Sequence, residues 1–72
     1  MNKFDSLLAD CAIGSSFYIN PHILGIDGEG FHKLVDTWIA AGGGDGFTIS
    51  DAREENMSGG RRYVIAKITR TE

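Results

Sequence analysis

Cysteine, proline and long hydrophobic runs are scarce in this sequence. Of the 72 residues, one is cysteine and one is proline. Because Cys11 has no cysteine partner, no disulfide can form within the chain. This is typical of a reducing cytoplasm, and we predict that Cys11 is a small buried apolar residue. Asp5 and Asp10 interrupt the first residues too early for a signal peptide, and nothing approaches membrane-spanning length. We therefore expect a cytoplasmic protein without a membrane partner.

The chain also lacks the excess of positive charge that nucleic-acid-binding domains usually have. Its formal net charge is −3. The charges are unevenly distributed, because residues 1–50 contain two basic and six acidic residues, whereas residues 57–71 contain four basic residues and no acidic one. This pattern predicts an acidic body with a positive end that could face phosphate.

Catalytic and metal-binding patterns are missing as well. His22 and His32 are ten positions apart and have no cysteine pair, so they do not have the spacing of a zinc site. The glycine-rich run 42–46 is not followed by the Lys-Ser/Thr of a phosphate-binding loop. Ser15 and Ser16 have no evident base and orienting acid nearby. We predict that the protein is not an enzyme and holds no metal or cofactor.

What is present is enough apolar sequence for one small core. The chain is 42% hydrophobic and 24% charged, which is typical of a folded globular protein and not of a disordered one. A domain of this size buries only about 60% of the surface that its unfolded chain exposes. We therefore predict a single domain over residues 1–72.

Apolar spacing and helix-end signals predict three helices. The first covers about residues 2–12, and Asn20 with Pro21 begins a short second helix that ends at Gly25. Asp27 is the expected N-cap of the third helix, which ends at the glycine run 42–44. The apolar face of the first helix comprises Phe4, Leu7, Leu8 and Cys11. The apolar face of the third comprises Phe31, Leu34, Val35, Trp38 and Ile39, opposite a polar face of His32, Lys33, Asp36, Thr37 and Ala40.

Three segments favour strands: residues 17–19, 47–52 and 61–71. Residues 53–60 between the last two are predicted to be a polar hairpin loop. In the last strand, one face is expected to carry Val64, Ala66 and Ile68, and the other Tyr63, Ile65 and Lys67. The predicted fold class is α+β, with the order α-β-α-α-β-β.

This order resembles the winged helix-turn-helix superfamily. Residues 24–27, Leu-Gly-Ile-Asp, resemble the family's turn between the second and third helices. Phe31, Leu34 and Ile39 follow at positions where that family packs its third helix against the core, and the glycine run 42–44 resembles the passage into the wing. The resemblance covers nearly the whole chain and implies DNA binding as the commonest activity.

In that interpretation the third helix enters the major groove of double-stranded DNA and the hairpin forms a wing that contacts phosphate. The predicted contacts on the third helix are His32, Lys33 and Thr37. The predicted contacts on or beside the wing are Arg53, Arg61 and Arg62. The corresponding function is that of a small transcriptional regulator, acting as a homodimer or beside another protein.

Two alternatives remain open at this stage. The polar face of the third helix is equally well explained as a solvated surface, and the arginines as charges that protect a sheet edge. The chain could then be a protein-interaction module, or an acidic inhibitor of a nucleic-acid-binding protein of the kind that phages encode. The arrangement of the charges distinguishes these functions, because a DNA-binding surface needs its basic residues to be contiguous.

Overall fold

Three helices pack on a three-stranded antiparallel sheet in the computed structural model, which describes residues 3–57 and 60–72. The elements are α1 (Lys3–Asp10), β1 (Ser16–Ile19), α2 (Pro21–Leu24), α3 (Gly28–Ala41), β2 (Phe47–Met57) and β3 (Gly60–Arg70). The predicted α+β class and the order of elements are confirmed. None of the helices in the described ranges is long and apolar enough to cross a membrane.

The ends of α2 and α3 follow the capping signals of the sequence. The side chain of Asn20 accepts a hydrogen bond from the backbone N–H of Ile23, and that of Asp27 accepts one from Gly30, both at 2.7 Å. These bonds satisfy backbone donors that the first turn of a helix leaves free. Gly25 and Gly42 end the two helices in the left-handed conformation, as predicted.

The central strand of the sheet is β3, which pairs antiparallel with both β1 and β2. Its inner face carries Ala66 and Ile68, which are completely buried beneath the helices. The buried core consists of Phe4, Ile19, Phe31, Val35, Phe47, Ala66 and Ile68. The buried residues come from α1, α3 and all three strands, so helices and sheet share one core.

Aromatic rings link the first helix to the third helix and the sheet. The ring centroids of Phe4 and Trp38 are 4.7 Å apart, and that of Phe47 lies 4.9 Å from Phe4 and 5.0 Å from Trp38. Such tilted and edge-on contacts are favourable beyond the burial of apolar area. The prediction that Phe31 and Trp38 belong to the core is confirmed.

Two predictions about apolar side chains were wrong. Ile39 does not pack into the core and is 41% exposed. It lies roughly 80° around the helix from the buried Phe31, at the edge of the apolar face. Cys11 is only partly buried, since it follows the last residue of α1. Its Sγ lies 3.3 Å from the carbonyl oxygen of Ser15.

The predicted loop over residues 53–60 was also wrong. β2 continues to Met57 and β3 begins at Gly60, so most of this segment is paired strand. Its polarity has a structural cause: the described side chains from 53 to 56 are exposed, and a strand beyond the core has no apolar face to bury.

Two register shifts interrupt the pairing of β2 with β3. Ser50 pairs with Lys67 and Arg53 with Ile65, so β2 has one extra residue there. Glu54 then pairs with Tyr63, so β3 has an extra residue, Val64, immediately afterwards. A bulge shifts the alternation of side chains by one position. Tyr63 consequently packs against the core side, contrary to the predicted alternation.

A close approach of two backbone segments requires glycine at position 43. Gly43 has φ of +124°, and a Cβ atom there would collide with the carbonyl oxygen of Phe47 and lie 2.9 Å from the Cα of Thr48. We expect Gly43→Ala to lower the free energy of unfolding by about 2 kcal/mol more than Gly42→Ala does. Gly42 is the matched control, because it also has positive φ (+78°) but has open space around it. Urea unfolding measures the difference, and equal losses would contradict the close-approach explanation.

The bulge in β2 holds Asp51 in the left-handed region, at φ of 49°. Asn tolerates this conformation at least as well as Asp, whereas a β-branched residue does not. We expect Asp51→Val to lower the free energy of unfolding by about 1–2 kcal/mol and Asp51→Asn to change it by less than about 0.5 kcal/mol. Thermal unfolding followed by circular dichroism tests this, and a neutral valine variant would show that the bulge does not depend on residue 51.

Candidate nucleic-acid interface

A contact between His32 and Tyr63 connects α3 to the hairpin formed by β2 and β3. The backbone N–H of Tyr63 donates a hydrogen bond to Nδ1 of His32 at 3.1 Å. The two rings also stack, with centroids 5.1 Å apart and planes 22° from parallel. Because Nδ1 accepts, the ring proton of a neutral His32 is on Nε2. The ring faces the sheet and is partly buried, so its predicted position on a fully polar helix face was wrong.

On the exposed side of α3, Lys33 and Glu29 form a weak ion pair. Nζ of Lys33 lies 3.5 Å from Oε1 of Glu29, one helical turn earlier, and the two side chains are 73% and 61% exposed. An ion pair this exposed contributes little and is readily exchanged for another partner. The hydroxyl of Thr37 donates to the carbonyl oxygen of Lys33 at 2.8 Å, so it is occupied within the helix. Asp36 is exposed beside them.

Arg61 and Arg62 lie on opposite faces of the hairpin. Arg62 pairs with Glu55 and Arg61 with Asn56 in an uninterrupted register, and consecutive residues of a strand point to opposite sides. Arg61 therefore shares the face of Tyr63, which is the side of α3. The two guanidinium groups do not form the single phosphate-binding pair that their adjacency in the sequence suggests.

Arg53 lies on the far face of the sheet, away from the helices. It pairs with Ile65 on β3 and lines a groove together with Tyr18. The six predicted contact residues are thus divided between two surfaces. The helix side holds His32, Lys33, Thr37 and Arg61, and the far side holds Arg53 and Arg62.

Acidic residues are interspersed with the arginines along the hairpin. The segment 51–62 contains three arginines and three acidic residues. Glu54 pairs with Tyr63 and so belongs to the helix side, whereas Glu55 pairs with Arg62 on the far side. The basic residues therefore do not form one contiguous positive surface.

Arg70, another basic residue of the positive end, has a structural role. Its guanidinium donates to the carbonyl oxygens of Cys11 at 2.7 Å and Glu72 at 2.7 Å, and more weakly to that of Ala9 at 3.4 Å. These bonds join the end of α1 to the end of β3. The charge of Arg70 is engaged in holding the fold together, so the positive end is smaller than the sequence suggests.

Lys67 was not among the residues predicted to contact DNA. Lys67 pairs with Tyr18 on one side and Ser50 on the other, on the same far face as Arg53. The alternation within β3 already separated Lys67 from Ala66 and Ile68. The sequence did not show that β1 pairs with β3, and this pairing brings Tyr18 to the same surface as Lys67.

No family model matches the chain, and neither the curated proteins nor the solved structures include a match. Within residues 3–57 and 60–72, no three His, Cys, Asp or Glu side chains are grouped so that they could hold a metal ion.

Replacing His32 tests the connection between α3 and the hairpin. His32→Phe keeps a ring that can stack on Tyr63 but leaves the Tyr63 N–H without its acceptor, so we expect a loss of about 1–2 kcal/mol in the free energy of unfolding. Urea unfolding measures the loss, and hydrogen exchange of the Tyr63 amide should become faster. Tyr63→Phe is the control, because it retains both the backbone donor and the stacked ring. If His32→Phe were as stable and as protected as the control, the hydrogen bond would not couple the two elements.

Proposed function

We propose that this chain is a winged-helix domain that binds double-stranded DNA through α3 and the helix-side face of the β2–β3 hairpin. The observation that carries the proposal is the contact between His32 and Tyr63. It fixes the hairpin beside the first half of α3, so that Arg61 and Lys33 belong to the same side of the molecule. The order of elements, with two helices followed by a hairpin, is consistent with a helix and a wing used together.

Contacts to phosphate dominate this mode of binding. Arg61 is exposed, and Lys33 is held only by a weak pair that a phosphate can replace. Base reading has a smaller part, since Gly28 and Gly30 leave the first turn of α3 with few side chains to insert into the major groove. Affinity is therefore expected to depend strongly on salt and weakly on DNA sequence.

A second candidate function is supported by the mixture of acidic and basic side chains on this surface. Glu29, Asp36 and Glu54 lie close to the basic residues of the same side, and such a mixed surface suits a protein partner with a complementary pattern. In this alternative the chain is a protein-interaction module or an acidic inhibitor. The hairpin and α3 would still form the contact surface, but duplex DNA would not bind.

Duplex binding is tested with a fluorescein-labelled mixed-sequence duplex and anisotropy at about 50 and 200 mM salt. If three phosphates are contacted, we expect the affinity to fall roughly 40-fold between these salt concentrations. Arg61→Gln should weaken binding and reduce the salt slope by about one. Arg62→Gln is a closely matched control, because it removes the same charge one position away on the opposite face. Absence of binding at low salt, or equal effects of the two variants, would contradict the proposed surface.

Removing an acidic side chain from the same face should have the opposite effect. Glu54→Gln removes a negative charge beside Arg61, so we expect duplex affinity at low salt to increase by about three- to tenfold. Glu55→Gln, on the far face, should change it less. A protein-interaction module would show neither increase, and the same two variants would then be tested for loss of binding to its partner.

A further inference from the structure

The far face of the sheet contains a groove that the proposed duplex-binding surface does not use. It has a volume of about 610 Å³ and is lined by Tyr18, Asp51, Ala52, Arg53 and Ile65. This volume is within the range of sites for small molecules. The groove crosses all three strands, with Tyr18 on β1, Ile65 on β3 and Arg53 on β2.

The register explains how the groove is built. Tyr18 and Arg53 lie on the two outer strands, which are separated by two strand spacings, or about 10 Å. Ile65 of the central strand forms the floor between them, and the bulge at Asp51 bends β2 next to it. Bulges often redirect side chains next to functional sites, and they also increase the local twist that makes a sheet face concave.

The groove contains an exposed aromatic ring, Tyr18, together with one basic and one acidic side chain, and Lys67 adds a second basic residue beside Tyr18. Tyr18 is 52% exposed, because it points to the far face, whereas its neighbours Phe17 and Ile19 point to the inner face and pack into the core. Lys67 is its cross-strand partner, and Arg53 stands on the opposite wall. The positive residues on this face are Lys67, Arg53 and Arg62, and the acidic ones are Asp51 and Glu55.

We propose that this groove binds a nucleotide unit with an unpaired base. The base stacks on Tyr18, and Arg53 and Lys67 hold the phosphate. The carboxylate of Asp51 accepts hydrogen bonds from an amino or imino group of the base, or from a sugar hydroxyl. A base paired within a duplex could not reach Tyr18 in this way, so the ligand is either a single-stranded nucleic acid or a free nucleotide.

Binding is tested on the full chain with a fluorescein-labelled single-stranded oligodeoxyadenylate of about ten nucleotides, and in parallel with adenosine monophosphate. Tyr18→Leu should weaken oligonucleotide binding about tenfold or more, whereas Tyr18→Phe should keep it, because the phenyl ring still stacks. Arg53→Gln should also weaken binding. Circular dichroism melting establishes that each variant is folded, which is expected because these side chains are largely exposed.

The location of the ligand is read from amide chemical shifts. Shifts at Tyr18, Arg53 and Ile65 on addition of the oligonucleotide would support the groove. If adenosine monophosphate shifts the same amides with similar affinity, the groove is supported and its ligand is the free nucleotide. If Tyr18→Leu binds as tightly as the unmodified chain, or if the shifts map to α3 and Arg61 instead, the proposal is overturned.

The same variants separate this site from the duplex-binding surface. Arg61 lies on the opposite face, so Arg61→Gln should weaken duplex binding and leave oligonucleotide binding unchanged. Tyr18→Leu should do the reverse. Failure of the duplex proposal therefore leaves the groove proposal standing, and failure of the groove proposal leaves the duplex proposal standing.

Discussion

Burial of the inner face of β3 is the constraint on which the rest of the structure depends. This strand is hydrogen-bonded on both edges, and its residues Ala66 and Ile68 are completely covered. Because β1 and β2 each pair with β3 and not with one another, loss of this strand would separate every other element of the sheet.

The two faces of the sheet have different physical roles because only one of them is covered. The inner face contacts the helices and carries the core. The far face is open to solvent and carries mainly polar and charged side chains, among them Tyr18, Lys67, Arg53 and Arg62. The paired bulges reassign residues between these faces. The bulge at Val64 turns the side chain of Tyr63 towards α3. There the backbone N–H of Tyr63 donates a hydrogen bond to His32, which connects the hairpin to the helix.

The distribution of charge follows from the same geometry. Residues that are adjacent in the sequence, such as Arg61 and Arg62, lie on different faces, while Arg53 and Lys67 come together on one face from two strands. Arg70 is held by backbone carbonyl oxygens at the base of the sheet. A net charge therefore says little about either surface, and each surface has its own balance of basic and acidic groups.

The sequence by itself determined the elements whose signals are local. Asn20, Asp27, Gly25 and Gly42 mark the ends of α2 and α3 through their own side chains or backbone freedom, and the apolar spacing of α3 identified Phe31 and Trp38 as core residues. Such signals depend on hydrogen bonds and helical geometry within a few residues. They also led to the α+β class and the order of the elements.

Only the tertiary structure decided the rest. The extension of the hairpin to Met57, the side of the sheet on which Tyr63 lies, and the contact of His32 with the sheet depend on cross-strand register and bulges. Those are set by which strand pairs with which and not by any local signal. The candidate surfaces are consequences of that register. Pairing through β3 puts Tyr18 and Arg53 on the same face, and the bulge at Val64 decides that Arg61, and not Arg62, shares the side of α3.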